Sequence, residues 1–194
     1  AGWLGSARPG VLFLQEDRTD PAKIRRLAEA VRALLDRDAR TPWVVLSDAE
    51  GESSRRLQEA LAPLDRVRMV PLPSYPRYVT LLRRAQVILT NAGYILEESP
   101  TLGVPVVFLA DRTARSEAFK GGWAAAAGMD PARILEGVDV LRRRWIAPRV
   151  PNPFGDGQAA ARIVEAFRRR VAAPAPAPLA AGPLASAAGQ GAGG

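Results

Sequence analysis

Short runs of three or four apolar residues alternate along this chain with longer stretches in which apolar positions recur every three or four residues. Val11-Leu12-Phe13-Leu14, Trp43-Val44-Val45-Leu46, Val87-Ile88-Leu89 and Val106-Val107-Phe108-Leu109 are the short runs; Val67 to Val70, interrupted by Arg68, is predicted as a further strand. Unbroken apolarity of that length suits strands buried on both faces of a sheet. Between the first two, Ile24, Leu27, Ala28, Val31, Leu34 and Leu35 line one face of a helix. Asp20-Pro21 supplies its N-cap and first-turn proline. Further helices are predicted over Ser53 to Leu61, Tyr75 to Arg84 and up to Leu102. Asp130-Pro131 opens another, with Ile134, Val138 and Leu141 facing inward, and a last one is predicted from Gln158 to Arg170. Strands and helices alternating at this spacing predict βαβ units with right-handed crossovers, hence an α/β fold whose parallel sheet carries helices on both faces.

The chain is expected to divide into a lead-in at 1–10, one domain at 11–170 and a tail at 171–194. The tail is low-complexity Ala/Pro/Gly with only two leucines, a composition that predicts disorder. At 194 residues, 47% of them apolar, there is length for one substantial core. The chain begins at Ala1 rather than methionine, as a fragment or a processed product would.

Cysteine and histidine are both absent. Disulfides, Cys/His zinc sites and histidine-dependent nucleophile systems are therefore excluded, and no metal or cofactor is expected. Absent cysteine, with no apolar run long enough for a membrane span, predicts a cytoplasmic protein with no membrane partner. The formal charge is +7. Its arginine clusters at Arg142-Arg143-Arg144 and Arg168-Arg169-Arg170 fall near helix C-termini, where cations complement the dipole. No aromatic interleaving accompanies them, so no nucleic-acid partner is expected.

The stretch that carries chemistry is VILTNAGYILEESPTLGVPVVFLADRTARSE, residues 87–117. A buried strand, a glycine turn and a helix opening direct backbone N–H groups towards an anion. Gly93 permits close approach of a phosphate to its own amide and that of Tyr94; the same residues also suit an ordinary turn with Asn91 as helix cap. Glu97 and Glu98 point about a hundred degrees apart on a helix, so they serve different partners. A carboxylate there suits a ribose diol, or simply the helix dipole, with Glu98 the stronger candidate. Arg115, in a loop past a strand end, suits a diphosphate or an ion pair with Glu117 or Asp111. Asn152-Pro153-Phe154-Gly155-Asp156-Gly157 reads first as a structural turn.

TNAGYILEESPTLGVPVVFLADRTARSEAFKGG, followed by NPFGDGQAAARI, resembles the C-terminal domain of the non-hydrolysing UDP-N-acetylglucosamine 2-epimerases. The family pattern is close to T-D-S-G-G-x-Q-E-E-x-P-x-L-G-x-P-V, then T-E-R-P-E, then N-P-Y-G-D-G. The resemblance is collinear from Val87 to Gly128, resumes at Asn152, and extends over about residues 10–170. It implies a single Rossmann-like parallel sheet corresponding to the C-terminal half of a GT-B type fold. UDP or a UDP-sugar would be the ligand, and a separately supplied N-terminal Rossmann domain or a second copy would be the protein partner. In that family UDP is eliminated after proton loss at C2 and then added back, with acid/base carboxylates coming largely from the N-terminal domain.

The resemblance carries substrate-binding roles to Gly93, Glu98 and Arg115, and places Glu97 beside them. Tyr78 stands where a phenylalanine packs near uracil. Ala92 replaces a phosphate-binding serine, Tyr94 replaces a glycine, and Glu16 occupies the position of a histidine facing the phosphates. Leu96, Asn91, Ala114 and Ser116 also depart from the pattern. These departures predict a UDP-binding domain impaired for catalysis by itself. The alternatives are a non-catalytic remnant or interaction domain without the ligand, and the C-terminal half of a GT-B glycosyltransferase.

Overall fold

A computed structural model describes residues 4–15, 20–47, 51–144 and 151–172. Six strands form one parallel sheet: β1 (Gly10–Phe13), β2 (Trp43–Ser47), β3 (Val67–Pro71), β4 (Val87–Thr90), β5 (Val106–Phe108) and β6 (Ala124–Ala126). Their order is β3-β2-β1-β4-β5-β6. The chain builds outward from β1 to β3, then returns to lay β4 on the other side of β1. That reversal opens a crevice at the carboxyl ends of β1 and β4, where Phe13 and Thr90 are register partners.

The helices are α1 (Pro21–Arg37), α2 (Glu52–Leu61), α3 (Tyr75–Arg84), α4 (Gly93–Leu102), α5 (Glu117–Lys120), α6 (Pro131–Arg144) and α7 (Ala159–Ala172). Alternation along each strand sends side chains to two separate cores. Leu12, Val45, Leu89 and Val107 pack with α1, α2 and α6, while Val11, Val44, Ile88 and Val106 pack with α3, α4 and α5. Helices thus cover both faces, as the apolar runs predict. Asp20 caps α1 by accepting from the Ala22 amide at 2.9 Å, and Asp130 caps α6 by accepting from the Arg133 amide at 2.9 Å. Pro100 inside α4 removes the amide that would serve the Leu96 carbonyl. The Ser99 hydroxyl reaches that oxygen instead, at 3.5 Å.

Several boundaries differ from expectation. β6 is three alanines, too short and too unbranched to register as a strand; pairing with β5 creates it. The four-residue α5 was likewise not foreseen. Gly10, placed in the lead-in, belongs to β1. Residues before it are also tied down: the Arg8 guanidinium donates to the Ala85 carbonyl at 2.9 Å, and Arg84 donates to the Gly5 carbonyl at 2.8 Å. At the other end, Val171 and Ala172 continue α7 rather than beginning the tail. The rest of the expected tail lies outside the described residues.

The chain separates into two compact units, 1–156 and 157–194. The sheet lies wholly in the first. Within the second, α7 carries Ile163, Val164, Phe167 and Val171 as an exposed apolar stripe, and an ion pair between Arg169 and Glu165 at 2.8 Å.

At the amino edge of the sheet a polar knot joins α1 to α6. Asp38 accepts from the Thr41 hydroxyl at 2.5 Å and from Arg142 at 2.9 Å, while the Gln86 amide donates to the Thr41 hydroxyl oxygen at 3.0 Å. Arg142, read from sequence as a dipole-complementing cation, is thus a cross-helix tie. Burial opposes the Asp38 charge, but the Thr41 hydroxyl, the Arg40 amide and Arg142 together outweigh it and hold the carboxyl below its ordinary value of 3.8. A carboxyl depressed on folding stabilises the protein above its unfolded pKa, and that stabilisation disappears as pH falls through the folded value. Asp38→Asn is expected to lower the urea midpoint at neutral pH, with the gap to the parent closing on acidification through the carboxylate range. A gap that stays constant with pH would show that the charge of Asp38 is irrelevant to stability.

Candidate functional site

The crevice at the switch point is lined from β1, α3, α4 and the loop after β5. Asn91, the helix cap in the ordinary-turn reading, is not one: the capping position of α4 is Ala92, with no side-chain hydrogen bond. The Asn91 amide instead pairs with the Gln15 backbone, accepting from its N–H at 2.8 Å and donating to its carbonyl at 3.3 Å. That two-way bond stitches the ends of β1 and β4 together beneath the crevice.

Ala92 is fully buried in the core against α4, and its amide donates to the Thr90 hydroxyl at 3.0 Å. Its side chain faces protein, so Ala92 shapes the turn and offers nothing to a ligand. The next amides, of Gly93 and Tyr94, open α4 and have no acceptor within the helix, the usual condition of a first turn. They carry the positive end of the helix dipole.

Arg115 crosses to this helix opening from the loop after β5. A Cβ built on Gly93 would sit 2.6 Å from Arg115 Nη1 and 3.1 Å from its Cζ. The missing side chain of Gly93 therefore makes room for the guanidinium, a different use of glycine from the phosphate approach that the sequence suggests. Arg115 Nε donates to Glu97 Oε1, and both side chains are half-buried. The ion-pair reading of Arg115 named Glu117 or Asp111; the partner is Glu97. Asp111 lies 4.0 Å from Lys23 instead.

Glu98 faces the other way, as the helical offset requires. Its Oε1 accepts from the Tyr75 hydroxyl at 3.1 Å and its Oε2 from the Tyr78 hydroxyl at 3.4 Å. The two tyrosine rings stack at 5.9 Å with an interplanar angle of 28°. Tyr78 is buried and meets Phe13 edge-on at 6.4 Å; Tyr94 meets the same Phe13 at 6.3 Å. Burial, followed by the Glu98 charge and Tyr94, pushes the Tyr78 phenol far above its ordinary range. Burial also raises the Tyr94 phenol, opposed by the Tyr78 hydroxyl, whose one proton is shared between Tyr94 and Glu98. The bond to Glu98 raises that of Tyr75. All three phenols therefore stay protonated at neutral pH and remain donors.

Two groups therefore flank α4: Arg115 with Gly93 and Glu97, and Glu98 with Tyr75 and Tyr78, whose ring shares Phe13 with Tyr94. Glu16 lies outside the described residues. Two residues that sequence reasoning passed over belong here: Phe13, the aromatic floor, and Tyr75, read only as a helix start. The signal for Tyr75 was its spacing of three from Tyr78, which places both rings on one helix face. Asn152 is structural, as expected. It accepts from the Phe154 amide at 3.0 Å and donates at 2.9 Å both to the Glu97 carbonyl and to the Thr101 hydroxyl, tying its turn to α4.

A six-stranded parallel sheet with helices on both faces and a switch point between β1 and β4 is one Rossmann-type half of a GT-B fold. Residues 14–168 match the family model described as UDP-N-acetylglucosamine 2-epimerase. The chain is 38% identical over 112 residues to the UDP-N-acetylglucosamine 2-epimerase of Escherichia coli K12, covering 56% of this chain and 30% of that protein. It is 34% identical over 146 residues to a probable UDP-N-acetylglucosamine 2-epimerase of Ralstonia nicotianae, covering 73% and 38%. Among solved structures, UDP-GlcNAc 2-epimerase from Neisseria meningitidis bound to UDP-GlcNAc superposes with a TM-score of 0.76 at 25% identity, over 83% of this chain and 45% of that one. The Methanocaldococcus jannaschii UDP-GlcNAc 2-epimerase shares the fold, with a TM-score of 0.71 at 21% identity over 83% and 45%. The chain belongs to the UDP-N-acetylglucosamine 2-epimerase family and corresponds to its C-terminal domain; it spans less than half the length of these relatives. Among the described residues, no helix is long and apolar enough to cross a membrane.

Proposed function

We propose that this chain is the UDP-binding half of a UDP-N-acetylglucosamine 2-epimerase, gripping the nucleotide at the carboxyl edge of β1 and β4. The observation that carries the reading is the Arg115 guanidinium, held by Glu97 over the bare Cα of Gly93 at the opening of α4. A fork of charged donors beside unpaired helix amides is matched to a diphosphate. Glu98 takes the ribose hydroxyls, and the Tyr75–Tyr78 stack flanks the space for the base. In the family reaction, UDP is eliminated after proton loss at C2 and is then added back, with C2 reprotonated on the opposite face to give the manno epimer. This half holds the leaving group and stabilises its charge, while the acid and base carboxylates come from an N-terminal Rossmann domain. UDP binding without turnover is therefore the expected behaviour of the chain alone.

Calorimetric titration with UDP tests this. Weak, saturable binding is expected, stronger for UDP than for uridine because the diphosphate carries the Arg115 contact. No heat of binding at millimolar UDP would overturn the proposal. It would favour the second reading, a domain that keeps the fold without the ligand. Two observations favour that reading: Arg115 is already charge-paired, and both Glu98 oxygens are already engaged. Epimerisation by the chain alone would overturn the assignment of the acid/base step to another domain.

A further inference from the structure

The geometry points to Tyr75 as a positioning residue that fixes the Glu98 carboxylate for recognition of a ribose diol, an inference that rests on the nucleotide reading of this site. A glutamate on a helix has three rotatable bonds and, left alone, samples many orientations. Glu98 is held at both oxygens, by Tyr75 at 3.1 Å and Tyr78 at 3.4 Å. Stacking of the two rings sets their hydroxyls side by side, so they address the two oxygens together. Tyr78 is itself locked by burial against Phe13. Tyr75 is 63% exposed, and its stack on Tyr78 and its bond to Glu98 keep it in place. The shorter of the two bonds is therefore made by the residue least needed for the core.

An ionised carboxylate offers about four acceptor directions. The two phenols use two and leave two for vicinal hydroxyls, so tyrosines and diol are accommodated together. Holding the carboxylate in advance removes the ordering cost that binding otherwise carries. Each phenol is protonated at neutral pH and has one O–H to direct at Glu98. Tyr75→Phe keeps the ring stacked on Tyr78 and removes only the hydroxyl bonded to Glu98, so its effect is confined to the diol.

The test compares UDP with 2′,3′-dideoxy-UDP on the full chain and on Tyr75→Phe, by calorimetry. The parent is expected to prefer UDP. Tyr75→Phe is expected to lose about three- to tenfold of that preference, with affinity for dideoxy-UDP unchanged. A general loss of structure would weaken both ligands alike and would overturn the inference. Full preference retained in Tyr75→Phe would overturn it while leaving the nucleotide reading intact. A sharper preference in the variant would also overturn it, by showing that the phenol displaces the diol. Equal affinity of the parent for the two ligands, or no binding of either, would remove the ribose role of Glu98 and the inference together.

Discussion

Trp43→Ala will destabilise the domain by about 3–5 kcal/mol, a large part of the roughly 5–15 kcal/mol that holds a typical domain together. Trp43 opens β2, is 1% exposed, and is the register partner of Gly10 in β1. Its indole lies over Gly10 so closely that a Cβ there would sit 2.6 Å from the ring. Glycine in a strand ordinarily weakens it, and this one is there to receive the ring. Gly10→Ala is accordingly expected to cost about 1–3 kcal/mol through overpacking. In a Trp43→Ala background the same change meets empty space and is expected to cost little. Urea unfolding of the four proteins in the cycle measures the coupling. Additive effects would show that the ring and the glycine do not constrain one another.

Arg115→Ala has the largest expected effect on ligand binding. Hydrogen bonds to charged groups are worth about 1.5–3 kcal/mol, so UDP affinity should fall about 10- to 100-fold. Arg115 is half-exposed and paired at the surface edge, so the melting temperature without nucleotide should change little. Gly93→Ala reaches the same result from the other side, because its methyl group displaces the guanidinium from the helix opening. The two changes together should be no worse than Arg115→Ala alone. Undiminished UDP binding by Arg115→Ala would remove the diphosphate role of this residue.

The departures from the family pattern acquire physical meaning in the fold. Ala92 in place of serine removes a hydroxyl at a position where the side chain is enclosed by core. Tyr94 in place of glycine adds a ring, and that ring is accommodated against Phe13, beside Tyr78. Tyr78 in place of phenylalanine adds a hydroxyl, and Glu98 accepts it. Two of the three changes are therefore mutually compensated within one aromatic cluster.

The strands and helices that bury continuous or periodic apolar residues were legible in the sequence, because burial on a sheet or helix face leaves a repeat that can be read residue by residue. β1 to β5, α1, α2, α3 and α6 follow from it directly. The Asp-Pro openings of α1 and α6 were legible too, since capping depends on neighbours a few positions away. β6 was not: three alanines carry no strand preference, and only the hydrogen bonds offered by β5 make them one. Glu98, Arg115 and Gly93 could be picked out as chemistry-bearing residues, and their common location at a strand-helix edge followed from the alternation.

Which of these groups touches which was decided by the tertiary structure alone. Residue spacing set Glu97 and Glu98 on different sides of α4, but it could not say that Arg115 would choose Glu97. Nor could it say that Tyr75 and Tyr78 would share Glu98, or that Gly93 would be filled by a guanidinium. The sequence by itself determined five of the sheet's six strands, the aspartate caps of α1 and α6 and which residues are chemically suited to an anion or a diol, because those rest on local periodicity and side-chain chemistry. The pairings across the crevice were fixed only when β4 was laid beside β1, because they join residues that no local interaction brings within reach.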